Sequence, residues 1–537
     1  MSDDEQVTYI TPATRLYPNM DAGGGVASPT LWPTMMLAHE ENAIARPTAV
    51  RQARQVERTS ESIRGGINRK VNMLVGADLR PQLMPDYRAL GLSAEWADEF
   101  ATQGENLFRS WANDRRMIAD TEGHYGFGGL MWMAARNLNG PDGETFGVIH
   151  YDVARARRLG TRWATTVTVL DPMRVETPPQ HAMRPEVVEG KLVDNYGRML
   201  GFYFRKESRD PLALDALSYQ YAPRFNPRGR PMGWHFFSKH RGGVQRGITQ
   251  LVNTLSRVKM LDKFDSATLG AAIVAAAMAT YVKTAGSSED ALENLAPVED
   301  GPAGGDAFGD RLAIYDKLKL RIGPQRIPVL PTADEIIIAA ADRATADPSK
   351  FRRGFHNEFA SALGMTGEQL SLDYSQVNYS SARAALIDIW RGVLAERHLF
   401  AQSVAAPVVE AVIEEAIVKG WIVLPPNAPD FYEHREAYTR CLFTGPALGW
   451  VDPKKEAEAA DIRVGSCLST LSDEAQSQGK SFDEIAEQRA RELRKLRALG
   501  IEQEEPKPAT TLASDDDDDD EPEDDDTNTD PPESSEE

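Results

Sequence analysis

ALGMTGEQLSLDYSQVNYSSARAALIDIW, residues 362–390, sets a polar, tyrosine-bearing loop between two segments of helical periodicity. Asp373, Tyr374, Ser375, Asn378, Tyr379, Ser380 and Ser381 supply short hydrogen-bonding side chains and two aromatic faces. Such residues favour turns and helix N-caps over helix interiors, so Ser380 or Ser381 is expected to cap the helix that follows. Upstream, Phe355, Phe359 and Leu363 recur at helical spacing. Downstream, Ala385, Leu386, Ile389, Trp390, Val393 and Leu394 do the same. Two helices therefore present the loop. The same pattern fits an ordinary helix–loop–helix connection whose tyrosines close over a core.

Working outward, residues 348–363 are expected to be helical, and residues 381–420 to form one long helix kinked or broken at Pro407. Residues 94–116 read as an amphipathic helix with Trp96, Phe100, Leu107 and Trp111 on its apolar stripe. Strands are expected at 145–151, 164–170 and 198–205, separated by the turn signals NGPDG (139–143) and DNYG (194–197). Helix is expected from 247 through 283, then a Gly/Pro/acid-rich break at 284–310 and a short strand around RIPVLP within 318–331. Residues 453–499 read as helices interrupted at Gly465 and Gly479, ending in a charged helix with acid-before-base spacing. The fold class is α+β: mixed sheet and helix first, mainly helix afterwards.

Charge is uneven. The formal net charge is −21, but residues 515–537 hold 15 acidic side chains and no basic one, which leaves −6 for residues 1–514. A run such as DDDDDDEPEDDD repels itself and has little apolar surface to offset ordering entropy, so residues 506–537 are expected to be a disordered acidic tail. Residues 1–36, rich in Gly, Pro, Ser and Thr, read as a flexible arm. Arg51, Arg54 and Arg58 share a helix face and are expected to be solvated. With 41% hydrophobic residues the remainder can build real cores. The apolar run 267–282 is shorter than a bilayer span and closely flanked by Asp265 and Lys283, which argues against a membrane role. The start MSDDEQ lacks the pattern of a secretory signal, and the two cysteines, Cys441 and Cys467, match no metal or redox spacing; both features suit a reducing cytoplasm.

Catalytic signatures are sparse. GGVQRGIT (242–249) imitates a phosphate loop, yet Ile248 stands where the lysine belongs. His39-Glu40 has no second histidine four residues on. His150 with Asp152, and His235 with His240, are two-ligand sets at most. No Gly-x-Ser-x-Gly elbow occurs. No catalytic residue, cofactor or metal site is therefore expected.

The string GMTGEQLSLDYSQVNYSSARAAL (364–386) resembles the segment that marks the lambda-type bacteriophage portal proteins, above all in its Asp-Tyr-Ser and Asn-Tyr-Ser-Ser-x-Arg strings. NMLVGADLRPQ (72–82), DGETFGVIHYD (142–152), HFFSKHRGGVQRGIT (235–249) and WVDPKKEAEA (450–459) agree in chain order, so the resemblance covers roughly residues 40 to 500. The chain departs from the pattern at Met365, where the family tends to have leucine, at Glu368, and in its acidic tail.

This resemblance implies a portal-type subunit with an α/β wing, a helical stem, a small clip and a helical crown, assembled as a dodecameric ring at one capsid vertex. Such a ring is the head–tail connector through which a separate terminase motor packages DNA and DNA later leaves to the tail. Mapped onto this chain, 37–240 is the wing region and 241–364 the stem and clip. Residues 365–381 form the tunnel loop, 382–450 a kinked helix and wing return, and 451–505 the crown. The loop residues Asp373, Tyr374, Ser375, Asn378, Tyr379, Ser380 and Ser381 would then face DNA, with Arg383 anchoring the loop by pairing with an acid such as Asp373. Implied partners are double-stranded DNA, the large terminase subunit, the major capsid protein and scaffold, and head–tail adaptor proteins. The implied location is the virion, after assembly in the bacterial cytoplasm. Two other readings stay open: a cytoplasmic enzyme acting on nucleic acid or nucleotide through GGVQRGIT, and a structural capsid adaptor without a channel.

Overall fold

The computed structural model describes residues 37–206, 218–278, 348–375, 379–448 and 453–501. The expected arm at 1–36, the break at 284–310, the strand near 326–331 and the tail at 506–537 lie outside the described residues. The chain divides into two units, residues 1–479 and 480–537. Within the second, the described structure is the charged helix Phe482–Ala498.

The first unit is α+β. At its centre lies the helix Ala406–Val418, in which Val408, Val409, Ala411, Val412, Ile413 and Ala416 are wholly buried. Apolar residues run around most of its surface, so it is packed on nearly all sides rather than along one stripe. Against it packs the helix Ala94–Ala112, and the helices Glu61–Leu74 and Phe127–Asn139, packed on each other, complete the same core. They contribute Ile63, Ile67, Val71 and Leu74; Phe100, Phe108 and Trp111; and Leu130, Met131 and Ala134 to a single core. Fully burying side chains of this size stabilises a fold by about 1.5–3 kcal/mol each before entropy is subtracted. The expected helix at 94–116 ends at Ala112, where Asn113 closes it.

Strands form where the alternation placed them. Strand β1 is Arg80–Leu83, β2 Thr145–Tyr151, β3 Thr165–Leu170, β4 Val187–Val188, β5 Lys191–Val193, β6 Met199–Arg205, β7 Tyr219–Pro223, β8 Gly233–Phe236 and β9 Cys441–Thr444. They make a three-stranded sheet in the order β3-β2-β8, a four-stranded meander β4-β5-β6-β7 and the pair β1-β9, with every ladder antiparallel. Strand β2 is buried over most of its length because sheet and helices cover both faces. Gly147 in β2 has a physical reason: a Cβ there would lie 2.0 Å from Trp234 Cζ2, so only hydrogen leaves room for the indole of β8.

The expected long helix at 381–420 is interrupted in a specific way. Tyr379–Phe400 is α-helical, Ala401–Ala405 is a π turn, and Ala406–Val418 resumes the α form. Pro407 lacks an N–H and its ring would crowd the carbonyl of residue 403 in a regular α-helix. A wider turn just before it removes that clash without ending the helix. The sequence also placed the helix start too late. It begins at Tyr379, so Ser380 and Ser381 occupy its first turn rather than its cap.

Candidate functional site

The segment 365–383 is attached to the core by its first half, and its described residues 371–375 are exposed. Met365 and Leu370 are buried. Between them Thr366 caps the short helix Gly367–Ser371, its hydroxyl accepting from Gln369 N at 3.1 Å while the Gln369 side chain accepts from Thr366 N at 3.0 Å. This turn sits on Gly66 of the helix Glu61–Leu74, where a Cβ would come within 2.5 Å of Leu370 and 2.7 Å of Leu363. Arg69, one turn further, donates from Nη1 to the Leu370 carbonyl at 3.2 Å. No local pattern announces either contact, because the partners are separated by some 300 positions, 301 for Arg69 and Leu370.

The exposed part begins at Leu372, which is left-handed (φ +59°) and ends the short helix. Asp373 then organises the tip: its backbone N–H donates to Ser371 Oγ at 3.2 Å and its Oδ1 accepts from Ser375 N at 3.1 Å. Hydrogen bonds from the Ser375 side chain and backbone hold the Asp373 carboxyl below its usual range. Tyr374 is 53% exposed. Of the expected DNA-facing residues, Asp373, Tyr374 and Ser375 thus share one exposed turn. Ser381 is exposed on the next helix, Tyr379 and Ser380 lie in the first turn of that helix, and Asn378 lies outside the described residues.

Arg383 pairs with an acid, as expected, but that acid is not Asp373. Its Nη2 lies 2.6 Å from Glu456 Oε1 in the helix Pro453–Gly465, whereas the Asp373 carboxylate accepts from Ser375 N within its own turn. The described part of the WVDPKKEAEA patch, from Pro453 on, is thereby joined to the helix that follows the loop. Further along the helix Tyr379–Phe400, Lys70 Nζ lies 2.8 Å from Glu396. Arg397 donates from Nε to Leu74 O at 2.9 Å and from Nη2 to Met73 O at 2.8 Å and Pro446 O at 3.0 Å. A cation on these terminal carbonyls complements the helix Glu61–Leu74. Burial pushes Arg397 down to about 10. The loop-bearing helix is therefore fixed at its far end.

GGVQRGIT, the second candidate, is a structural knot. Arg246 is buried, and its guanidinium donates to both oxygens of Glu144 at 2.7–2.9 Å and to the carbonyls of Val175, Glu189 and Pro172. Gly247 N donates to Glu144 Oε2 and the Thr249 hydroxyl to Gly140 O, each at 2.9 Å. The guanidinium, one loop N–H and the hydroxyl of this segment are thus committed inside the protein. Burial alone would raise Glu144, but the guanidiniums of Arg246 and Arg46 and the His235 hydrogen bond hold it well below the usual carboxylate range. His235 stacks on Phe146 at 4.0 Å, and burial pushes it down to about 3. His150 meets the Thr168 hydroxyl at 3.0 Å. Among the described residues no group of three His, Cys, Asp or Glu side chains is placed to hold a metal ion.

Arg54 also corrects an expectation. Instead of being solvated it bonds Asp142 at 2.8 Å and Asp171 at 2.6 Å, because its helix face meets the ends of β2 and β3.

The chain belongs to the lambda family of phage portal proteins, whose model matches residues 32–397. It is 27% identical over 432 residues to the portal protein of Escherichia phage N15, covering 80% of each chain. It is 26% identical over 434 residues to portal protein B of Escherichia phage lambda, again covering 80% of each. A probable portal protein of Halomonas phage phiHAP-1 is 23% identical over 401 residues, covering 74% of this chain and 71% of that one. Among the described residues no helix is long and apolar enough to cross a membrane.

Proposed function

We propose that this protein is the subunit of a dodecameric ring at one capsid vertex, through which a separate terminase packages double-stranded DNA and DNA later leaves to the tail. The observation that carries the reading is the family match over residues 32–397, which includes the whole loop at 365–381, the helix before it and all but the last three residues of the helix after it. The protein acts as conduit and docking ring, not as a catalyst, and uses no cofactor. Its partners are copies of itself, DNA, the large terminase subunit, the major capsid protein with scaffold, and head–tail adaptors.

In this reading residues 37–240 form the wing, 241–364 the stem and clip, 382–450 the kinked helix and wing return, and 451–505 the crown. Residues 365–381 line the bore. Asp373, Tyr374, Ser375, Asn378, Tyr379, Ser380 and Ser381 face DNA there, offering weak sequence-independent contacts to the backbone while Asp373 limits adhesion. Ile387 and Leu394, exposed and seven residues apart on one helix, supply an apolar strip suited to a neighbouring copy. Rotation closes such a ring when the same two unlike surfaces meet at every contact.

Negative-stain images of the purified full chain test the proposal. Rings with a central hole are expected. A uniform population of monomers under assembly conditions rules the reading out, and ATP turnover by the isolated chain would favour the enzyme instead.

A further inference from the structure

In a chain of net charge −21, one face of the first unit is locally cationic. The helix Val153–Leu159 and the residues after it carry Arg155, Arg157, Arg158 and Arg162 within eight positions. The turn holding Arg115 and Arg116 is joined to them, since Arg116 Nη1 donates to Leu159 O at 3.3 Å and Gly160 O at 2.9 Å. On the other side Lys419 Nζ donates to Arg162 O at 3.1 Å, which adds a further cation to the same surface.

These side chains differ in what they are used for. Arg155 is structural, reaching the carbonyls of Ile118 and Asp120. Arg116 is paired with Asp114 at 2.7 Å, and Lys419 approaches the buried Glu415 at 3.3 Å. Arg162 is braced by aromatic rings, 4.7 Å from the Trp421 centroid and 5.4 Å from that of Trp163. By contrast Arg115, Arg157 and Arg158 are exposed, and among the described residues they have no carboxylate partner. Placing Arg157 and Arg158 in the last turn complements the helix dipole. That effect is modest in a seven-residue helix and accounts for neither Arg115 nor Arg162.

We propose that this arginine face binds the phosphate backbone of double-stranded DNA, as a contact separate from the loop at 365–381. It rests on the reading that DNA passes this protein. Exposed, unpaired guanidiniums are what sequence-independent phosphate binding uses: each neutralised phosphate releases condensed counterions, and no pre-formed pocket is needed. A duplex presents a phosphate charge about every 1.7 Å along its axis, so a surface of several arginines engages it in many registers. The mildly acidic remainder confines the contact to this face and keeps it weak enough to release.

The test is binding of a random-sequence duplex of about 30 base pairs to the full chain across a salt series, with assembly scored separately by negative stain. Arg157→Gln with Arg158→Gln is expected to weaken binding by roughly tenfold at low salt and to reduce the log–log salt slope by about two. Arg157→Lys with Arg158→Lys, which keeps the charge, is expected to retain most of it. Three results overturn the inference: an unchanged slope in the glutamine variant, an equal loss from Arg51→Gln with Arg64→Gln, or loss of ring assembly with DNA binding intact. The last assigns the face to an acidic protein surface. If the wild-type chain forms no rings, the proposed function fails independently of this outcome.

Discussion

Glu144 and Arg246 face each other in full burial, with Arg246 Nε 2.9 Å from both carboxylate oxygens and Nη2 2.7 Å from Oε1. Arg46 joins the same carboxylate from the first helix, so one acid holds the start of β2, the loop at 242–249 and the helix Ala38–Thr59 together.

Glu144→Gln leaves two buried guanidiniums without their counter-charge. The expected loss is about 3–5 kcal/mol in denaturant unfolding. Because the folded carboxyl is held below its ordinary value, its contribution is complete above the usual carboxylate pKa and is lost as pH falls through the lowered one. Wild-type stability in the glutamine variant would refute this role.

Gly66→Ala tests how the loop is seated. The added methyl must displace Leu370 or Leu363, and overpacking of this kind costs about 1–3 kcal/mol. Proteolysis within 370–378 should become faster as the short helix Gly367–Ser371 lifts. An unaltered cleavage rate would mean that the loop is held elsewhere.

Tyr374→Ala combined with Tyr379→Ala should leave the unfolding midpoint nearly unchanged, within about 0.5 kcal/mol for the exposed Tyr374. Rings should still form, while particles package or retain less DNA. Normal DNA content per particle would remove the assignment of this loop to the bore.

Arg383→Ala and Glu456→Ala, with the double variant, measure the loop anchor. Both side chains are partly exposed, so their coupling should be below about 1 kcal/mol in stability. Hydrogen exchange at 379–385 should rise equally in all three variants. Additive effects would show that the pair does not act as a unit.

Glu410 lies 3.0 Å from Arg435, but Arg435 directs its aligned hydrogen bond to Glu414 at 2.8 Å. Burial pushes Glu410 up to about 7, against the attraction of Arg435. The sign follows from the raised value: its stabilising contribution is complete below the ordinary glutamate pKa and is lost as pH rises through about 7. Glu410→Gln should therefore stabilise the protein at pH 8 by at most about 3 kcal/mol and change little at pH 4. Equal effects at both pH values would contradict this.

Much of the fold was legible because its signals are local. Alternation in TFGVIHY and TTVTVL marks β2 and β3, and helical spacing marks Ala94–Ala112 and Pro348–Leu363. The loop could be located because polar turn residues interrupt two such spacings. Its seating could not, since Gly66 and Arg69 are matched to Leu370 only after the chain has folded. Pro407 announced a disturbance, but whether the helix breaks or widens depends on its neighbours. Burial of Ala401, Val404 and Val408 in one core favours continuing the helix through a π turn.

Sequence by itself placed three of the described strands, the main helices and the polar loop, because periodicity and turn chemistry act over a few residues, and its motif strings pointed to the family. Tertiary structure decided the pairing of charges: Arg383 with Glu456, Arg54 with Asp142 and Asp171, Arg246 with Glu144. Coulomb attraction depends on distance and solvent exclusion, and both are set only when segments 73 to 117 positions apart are packed together.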